Sequence, residues 1–169
     1  MSVTAVVVGN PRPGSRTLAA ATYVARELGG SEPDLVVDLA TLGPAILDWS
    51  DPTVTDLVAQ VGAADLVVAA SPTYKAAYTG LLKLFLDRFA GGTGLSGLAV
   101  PFMLGGSPHH SLAPETTLRP VLTEIGATVP GRALYVVDDR HDDPAAYADW
   151  LAATRPVVDT LLATMQRTT

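Results

Sequence analysis

Short apolar runs alternate with segments of helical periodicity along the chain. Continuous apolar runs are typical of buried parallel strands, and their alternation with helices is typical of an α/β sheet. The predicted strands are residues 3–8, 34–39, 65–70, 98–104 and 132–137. The predicted helices are residues 16–28, 53–62, 80–89, 111–125 and 143–165. This alternation predicts one α/β domain over residues 1–169, with a doubly wound parallel sheet of five strands in the order 2-1-3-4-5.

Prolines interrupt three of these segments. Pro101 stands inside the fourth predicted strand, where it indicates a bulge or a locally unpaired position because proline has no amide hydrogen. Pro120 and Pro156 stand inside predicted helices, and we expect each to kink or bend its helix. Residues 41–52 contain a glycine and two prolines, and they are predicted to form a loop.

Composition narrows the class of protein. With 48% hydrophobic and 17% charged residues, the chain is too apolar for intrinsic disorder. The net charge of −6 argues against nucleic acid or an anionic membrane as a partner, since both attract basic surfaces. The absence of cysteine excludes disulfides, thiolate catalysis and cysteine-ligated metals. No apolar run approaches the roughly 18 residues of a membrane span, and no basic residue precedes Arg12, so we expect a cytoplasmic protein.

The predicted topology also predicts where a ligand binds. In a doubly wound sheet, ligands lie beyond the carboxyl ends of the strands, at the point where the strand order reverses. Here that point lies between the first and third strands. The loops expected to line a site are residues 9–17, 71–79 and 105–110, which are rich in glycine, proline and polar residues.

The first of these loops joins a strand to a helix N-terminus, where free amides and the helix dipole favour an anion such as phosphate. The loop adds amide, guanidinium and hydroxyl side chains: Asn10, Arg12, Ser15, Arg16 and Thr17. Its Gly-x4-Gly spacing imitates a nucleoside-triphosphate loop, but Ser15 stands where that motif requires lysine, and GxGxxG is absent. The alternative is an ordinary loop in which Ser15 caps the helix.

The second loop follows the third strand and is a candidate for binding a flat aromatic ligand along its backbone. Tyr74 would pack near such a ligand, and Lys75 would favour negative charge that develops on it. The alternative is a turn with surface tyrosines and a solvated lysine.

The third loop begins with Gly105 and Gly106, which let the backbone approach a ligand closely. His109 and His110 point in different directions, and no spacing such as HExxH supplies further ligands, so we expect no metal site. A serine hydrolase is rejected because GxSxG is absent. His141 lies among acidic residues and is expected in a solvated turn.

Together, the three loops resemble the NAD(P)H-dependent FMN reductase family, which is flavodoxin-like. The similarity covers nearly the whole chain in order, and it is closest to the small flavin reductases of sulfonate-monooxygenase systems. The matching segments are GNPRPGSRT at 9–17, SPTYKAAYTGLLKLFLDRF at 71–89, GGSPHHSLA at 105–113 and LRPVL at 118–122. The resemblance implies that the predicted sheet is the flavodoxin-like one.

The resemblance also implies a ligand and a reaction. FMN would bind with its phosphate in loop 9–17 and its isoalloxazine against 72–75 and 105–107, and NAD(P)H would pass a hydride to flavin N5. No catalytic acid or base and no metal is required, since the flavin carries the hydride chemistry. The reduced FMN would then leave for a partner monooxygenase. The implied cofactor-binding residues are Asn10, Arg12, Ser15, Arg16, Thr17, Pro72, Thr73, Tyr74, Lys75, Gly105, Gly106, Ser107 and His110.

Two positions depart from the family pattern. Asn10 replaces the usual serine and keeps a backbone amide and a polar side chain. Thr116 stands where sulfonate-linked members often carry an aromatic residue in a local bulge of the helix. This departure argues against both the bulge and a dedicated flavin-transfer partner.

Alternative functions remain on the sequence alone. One is a flavodoxin-type electron carrier, which binds FMN between two aromatic side chains without NAD(P)H turnover. The site loops offer only Tyr74 and Tyr78, and Trp49 follows the second strand. A quinone or azo reductase with retained FMN is another alternative, and a non-enzymatic binding module is the weakest.

The predicted helix 80–89 is apolar on nearly every face, whereas a surface helix has one apolar stripe. One side can pack on its own sheet, and the other would leave an exposed patch unless a partner covers it. We therefore expect a homodimer or homotetramer, as the resemblance also implies. The alternative is a helix tucked beneath loop 90–97.

Overall fold

A computed structural model of the chain describes residues 2–167. The five strands form one parallel sheet in the order β2-β1-β3-β4-β5, so the predicted topology is confirmed. Their bounds are β1 Thr4–Val8, β2 Leu35–Asp38, β3 Leu66–Pro72, β4 Leu98–Gly105 and β5 Leu134–Val137. The order reverses between β1 and β3, as the alternation of strands and helices predicted.

Within residues 2–167, five α-helices connect or follow the strands. Their bounds are α1 Arg16–Gly29, α2 Pro52–Gly62, α3 Gly80–Leu86, α4 Arg119–Glu124 and α5 Ala148–Gln166. Two predicted helix starts are wrong: the helix predicted from 111 has its regular α-helical part only from Arg119, and the one predicted from 143 begins at Ala148. A short 3-10 turn at Pro144–Ala146 precedes α5. The predicted loop 41–52 is largely 3-10 helix, at Leu39–Leu47.

The sheet is buried between two layers of helices. Along β1, Ala5 and Val7 pack towards α2, α3 and α4, whereas Val6 and Val8 pack towards α1 and α5. This alternation follows from the opposite directions of successive side chains in a strand, and burial on both faces explains why the strands are continuously apolar. Among residues 2–167, each helix is too short or too polar to cross a membrane.

Pro101 lies in a central strand without a bulge. The β3–β4 register runs without interruption and pairs Ala69 with Pro101. On the other side of β4, the amide of Ala99 donates to Thr128, and the ladder with β5 starts at Phe102. Because alternate residues direct their amides to the same side, the missing amide of Pro101 falls in this gap. The predicted bulge is wrong, and the predicted unpaired position is confirmed.

The segment before α4 contains a π-turn at Pro114–Leu118, in which the amide of Arg119 donates to the carbonyl of Pro114. Pro120 follows at once and has no amide to continue the α-helical pattern. The expectation that Thr116 removes the bulge is therefore wrong, since Thr116 lies inside it. Its hydroxyl donates to the carbonyl of Leu112 at 3.0 Å.

Gly9, at the end of β1, allows α3 to approach the strand closely. A Cβ at this position would lie 2.4 Å from the Cβ of Leu82. The hydroxyl of Thr79, which caps α3, donates to the carbonyl of Gly9 at 2.5 Å. The start of α3 is thereby held against the end of β1.

This contact predicts that Gly9→Ala destabilises the protein. We expect the free energy of unfolding to fall by about 1–3 kcal/mol, the usual cost of overpacking a buried contact. Gly80→Ala is the matched control, because a Cβ on this first residue of α3 has no atom within 4 Å. Chemical denaturation measures both variants. Equal stability of the two would contradict the close approach of α3.

Candidate functional site

Three loops at the carboxyl edge of the sheet are tied together by hydrogen bonds. The amide of Thr79 donates to the hydroxyl of Ser71 at 2.9 Å, which folds the second loop back on the end of β3. The amide of Thr73 donates to the carbonyl of Leu104 at 2.7 Å, which joins the second loop to the end of β4. With the bond from Thr79 to Gly9, these contacts bring the three predicted loops to one place.

The first loop ends in the N-terminus of α1. Ser15 is the N-cap, and its Oγ accepts from the amide of Leu18 at 3.2 Å. The amides of Arg16 and Thr17 belong to the first turn, which has no carbonyl partners within the helix. Such amides and the positive end of the helix dipole attract an anion. Ser15 therefore acts as a cap, as the alternative held, and the first turn of α1 beside it keeps the donors that favour an anion.

Asn10 organises the first loop from within. Its Oδ1 accepts from the amide of Arg12 at 2.9 Å, and its Nδ2 donates to Oγ1 of Thr17 at 3.0 Å. Gly14 has a φ of 61° and donates its amide to Oδ2 of Asp38, at the end of β2, at 2.8 Å. The loop is thus shaped by side chains of the protein before any ligand binds.

A cleft of about 320 Å³ lies over this helix N-terminus. Its lining residues are Asn10, Arg12, Ser15, Arg16, Tyr74 and Asp138. The side chain of Arg12 has no hydrogen bond or ion pair within residues 2–167. The structure therefore brings four predicted phosphate ligands together with Tyr74 of the second loop. Thr17 is buried and does not line the cleft.

Sequence reasoning missed Asp138, whose carboxylate lies 2.5 Å from Nη1 of Arg16. These residues are 122 positions apart in the chain. The predicted topology could have indicated Asp138 as a site residue, because it directly follows β5 and so lies at the same edge of the sheet as the three loops. Asp38 could have been found in the same way, since it ends β2.

The second loop contains a tight turn, as the alternative interpretation held, but the sequence did not indicate its type. Tyr74 and Ala77 exchange backbone hydrogen bonds of 2.9 and 3.2 Å. Lys75 and Ala76, between them, have φ angles of 52° and 64°. Two successive positive φ angles characterise a type I′ turn, which usually requires Asn-Gly. Lys-Ala gives no such signal, and side chains in this conformation are strained.

Gly105 is required by a neighbour within the protein. A Cβ there would lie 1.9 Å from the hydroxyl oxygen of Tyr135 and 3.1 Å from Oγ1 of Thr73. The Tyr135 hydroxyl donates to the carbonyl of Ser107 at 2.6 Å. Burial raises the pKa of Tyr135, which keeps this donor protonated. Gly106, by contrast, faces open space.

The remaining predicted residues of the third loop point elsewhere. Oγ of Ser107 lies 2.6 Å from Nδ1 of His109 and caps the 3-10 turn Pro108–His110. His110 is exposed in that turn, and neither it nor Lys75 lines the cleft. Lys75, Ser107 and His110 thus belong to the predicted loops but do not line the cleft.

The residues present fit FMN. The α1 N-terminus, Ser15 and Arg12 supply donors for a phosphate. Oγ1 of Thr73 is buried beside the Tyr135 hydroxyl, and no hydrogen bond of good geometry is found for it within residues 2–167. A polar edge such as that of an isoalloxazine would satisfy it. In the part of the chain that is described, no group of three or more metal ligands is found.

A second cleft, of about 410 Å³, lies between α1 and the segment before α5. Tyr23 and Tyr147 form its aromatic wall, with ring centroids 5.0 Å apart. His141 lines it, and its Nδ1 lies 2.9 Å from the carbonyl of Asp138. His141 lies in a turn, as expected, but its side chain is only 22% exposed, so the expected solvation is wrong.

Comparison with known proteins agrees with this geometry. The family model "NADPH-dependent FMN reductase" matches residues 1–142. The "FMN reductase (NADPH)" of Escherichia coli strain K12 is 30% identical over 125 residues, which cover 72% of this chain and 65% of that protein. The "NADH-dependent FMN reductase SfnF" of Pseudomonas fluorescens strain Pf0-1 is 27% identical over 164 residues, 93% of this chain and 84% of that protein.

Among solved structures, the apo form of the NADH:FMN oxidoreductase EmoB superimposes with a TM-score of 0.82 and 29% identity, covering 97% of this chain and 90% of that one. The flavodoxin-like fold is therefore confirmed. The chain belongs to the NADPH-dependent FMN reductase family. It spans less than two thirds, 65%, of the length of the Escherichia coli relative.

The strained turn predicts that Ala76→Gly stabilises the protein. Glycine adopts a positive φ without steric cost, so we expect the free energy of unfolding to rise by about 0.5–1 kcal/mol. Ala77→Gly is the matched control, because Ala77 lies outside the positive-φ pair and should lose a few tenths of a kcal/mol or more. Thermal or chemical denaturation reports both. Destabilisation by Ala76→Gly equal to that by Ala77→Gly would rule out strain in this turn.

Proposed function

We propose that the chain is an NAD(P)H-dependent FMN reductase, which oxidises NAD(P)H and reduces FMN. The observation that carries this proposal is the cleft over the α1 N-terminus, at the point of strand reversal. There Ser15 lies beside Tyr74 and Arg12, whose side chain has no partner within residues 2–167. Membership of the family supports the same activity.

In this proposal, the first loop binds the FMN phosphate. Arg16 and Thr17 contribute amides, Ser15 its hydroxyl, and Arg12 and Arg16 their guanidinium groups. Bound FMN would supply the hydride acceptor, taking a hydride from NAD(P)H and a proton from solvent. The protein's own part is to bind and orient, so no catalytic acid or base is assigned.

The second and third loops would orient the isoalloxazine. The segments involved are Pro72–Lys75 and Gly105–Ser107. The first contains Thr73, whose buried Oγ1 has no hydrogen-bond partner of good geometry within residues 2–167. The Tyr135 hydroxyl holds the third loop in place by donating to the carbonyl of Ser107. Tyr74 is 54% exposed at the rim of the cleft, free to cover one edge of the ring. His110, exposed outside the cleft, is the weakest of the proposed ligands.

The competing function, an electron carrier, needs aromatic rings on both faces of the flavin. Tyr74 lines the cleft, whereas Tyr78 packs against the core. Trp49 lies under the guanidinium of Arg88, 5.5 Å from its ring centroid, and Arg88 donates to the carbonyl of Asp48. A cleft lined by a single aromatic side chain would leave one flavin face open to a visiting nicotinamide, which favours the reductase.

The finer assignments rest on the relatives. The Escherichia coli relative is named for NADPH and the Pseudomonas fluorescens relative for NADH. We therefore propose that NADPH and NADH are both tested as the hydride donor. We further propose that the protein works in the cytoplasm and passes reduced FMN to a partner monooxygenase.

The proposal predicts that the protein oxidises NADPH or NADH in air, faster when free FMN is added and without any metal. Arg12→Ala and Ser15→Ala should each raise the half-saturating FMN concentration roughly 10–100-fold, since a hydrogen bond to a charged group contributes about 1.5–3 kcal/mol. Absorbance at 340 nm follows the reaction.

Arg132→Ala is the control, because Arg132 is exposed, has no ion pair within residues 2–167 and precedes β5 far from the α1 N-terminus in sequence. Unchanged FMN dependence in both test variants would remove the phosphate assignment. A protein that holds FMN but oxidises neither nicotinamide with any acceptor would be a carrier instead.

We also propose that the chain forms a homodimer or homotetramer through α3. The expected apolar patch is smaller than the sequence indicated, because Leu82, Phe85 and Leu86 are buried within the chain. What remains is Leu84, 39% exposed, and Leu47, 64% exposed at the end of the 3-10 segment that α3 contacts. A second copy of this chain is the proposed cover.

Light scattering at micromolar concentration should therefore give a dimer or tetramer, and Leu84→Glu should shift the protein towards the monomer, since a charge in an apolar interface is costly to desolvate. Val157→Glu is the matched control: Val157 is 43% exposed on α5, in the opposite helix layer. A monomeric wild-type protein would refute the proposal.

A further inference from the structure

The cleft that would hold a phosphate already contains a carboxylate. Asp138 lines it with Arg12 and Arg16, and the carboxylate is paired with Arg16 at 2.5 Å. Its side chain is 40% exposed, and that of Arg16 is 61% exposed, so the pair faces the open cleft. Of the two arginines at the site, only Arg12 is left without an acidic partner within the described residues.

A second carboxylate takes up an amide of the same loop. Oδ2 of Asp38 accepts from the amide of Gly14, whereas its buried Oδ1 has no partner within residues 2–167. Asp38 and Asp138 thus approach the first loop from the ends of β2 and β5, on either side of β1. The donors that would otherwise face an incoming phosphate are partly satisfied by the protein.

A carboxylate in this position has a definite effect on an anionic ligand. It repels a phosphate in the same cleft, and it lowers the attraction of Arg16 for that phosphate because the guanidinium is shared. The neighbouring donors of the helix N-terminus are unaffected. Binding therefore persists, but it is weaker than the loop's own donors would allow.

We propose that Asp138 is a built-in competitor of the flavin phosphate, which weakens FMN binding and lets the flavin exchange as a substrate. This inference rests on the proposed function and assigns Asp138 a role within the same site. It acts on the phosphate end of the ligand only, through Arg16 and through direct repulsion.

The test compares FMN with riboflavin, which has the same ring system and no phosphate. Asp138→Asn keeps a hydrogen-bond acceptor for Arg16 and removes the charge. We expect the dissociation constant for FMN to fall about tenfold and that for riboflavin to stay unchanged, because only the phosphate senses the lost charge. Quenching of flavin fluorescence measures both constants. Release of FMN, followed by stopped flow, should slow accordingly.

Asp139→Asn is the matched control, since Asp139 is the next residue, exposed and without an ion pair in the described part of the chain. Asp138→Ala serves as a second variant, and tighter FMN binding there too would attribute the effect to charge. Weaker FMN binding in Asp138→Asn would show that the carboxylate instead orients Arg16, and would overturn the inference. Equal tightening of riboflavin or no change would do the same. A wild-type protein that binds no FMN would refute the proposed function itself.

Discussion

The contact between Gly9 and Leu82 determines the arrangement of the carboxyl edge of the sheet. Because Gly9 has no Cβ, α3 starts directly against the end of β1, and Thr79 can donate to the Gly9 carbonyl. The second loop must then turn back within residues 72–79, which it does through the strained turn at Lys75 and Ala76. Tyr74 is thereby carried to the cleft over α1. The site is a consequence of how closely one helix approaches one strand.

Much of the fold follows from local pattern. Sheet order was predictable because continuous apolar strands alternating with helices admit few right-handed topologies. Helix ends were less predictable, because a π segment at 114–118 and a 3-10 turn at 144–146 stand where the pattern indicates continuous α-helix. The π-turn persists without an aromatic residue because Pro120 cannot donate and the hydroxyls of Thr116 and Thr117 satisfy carbonyls of the preceding turn.

The site was only partly predictable, for a physical reason. Sequence reasoning identifies donors on the loop where an anion binds, because helix N-termini have a recognisable composition, and four of those donors do line the cleft. It missed Asp138 and Asp38, which reach the loop from other strands by way of the fold. It also explained Gly105 by ligand approach, whereas the hydroxyl of Tyr135 occupies that space. These charges are brought to the loop by topology, and no local motif encodes them.

The central claim is that the N-terminus of α1 binds the phosphate of FMN. A crystal structure of the protein with FMN tests it most directly. The account predicts the phosphate within hydrogen-bond distance of Ser15 Oγ and of the amides of Arg16 and Thr17, with the isoalloxazine directed towards Thr73 and Gly106. A phosphate bound elsewhere, for example in the Tyr23–Tyr147 cleft, would contradict it.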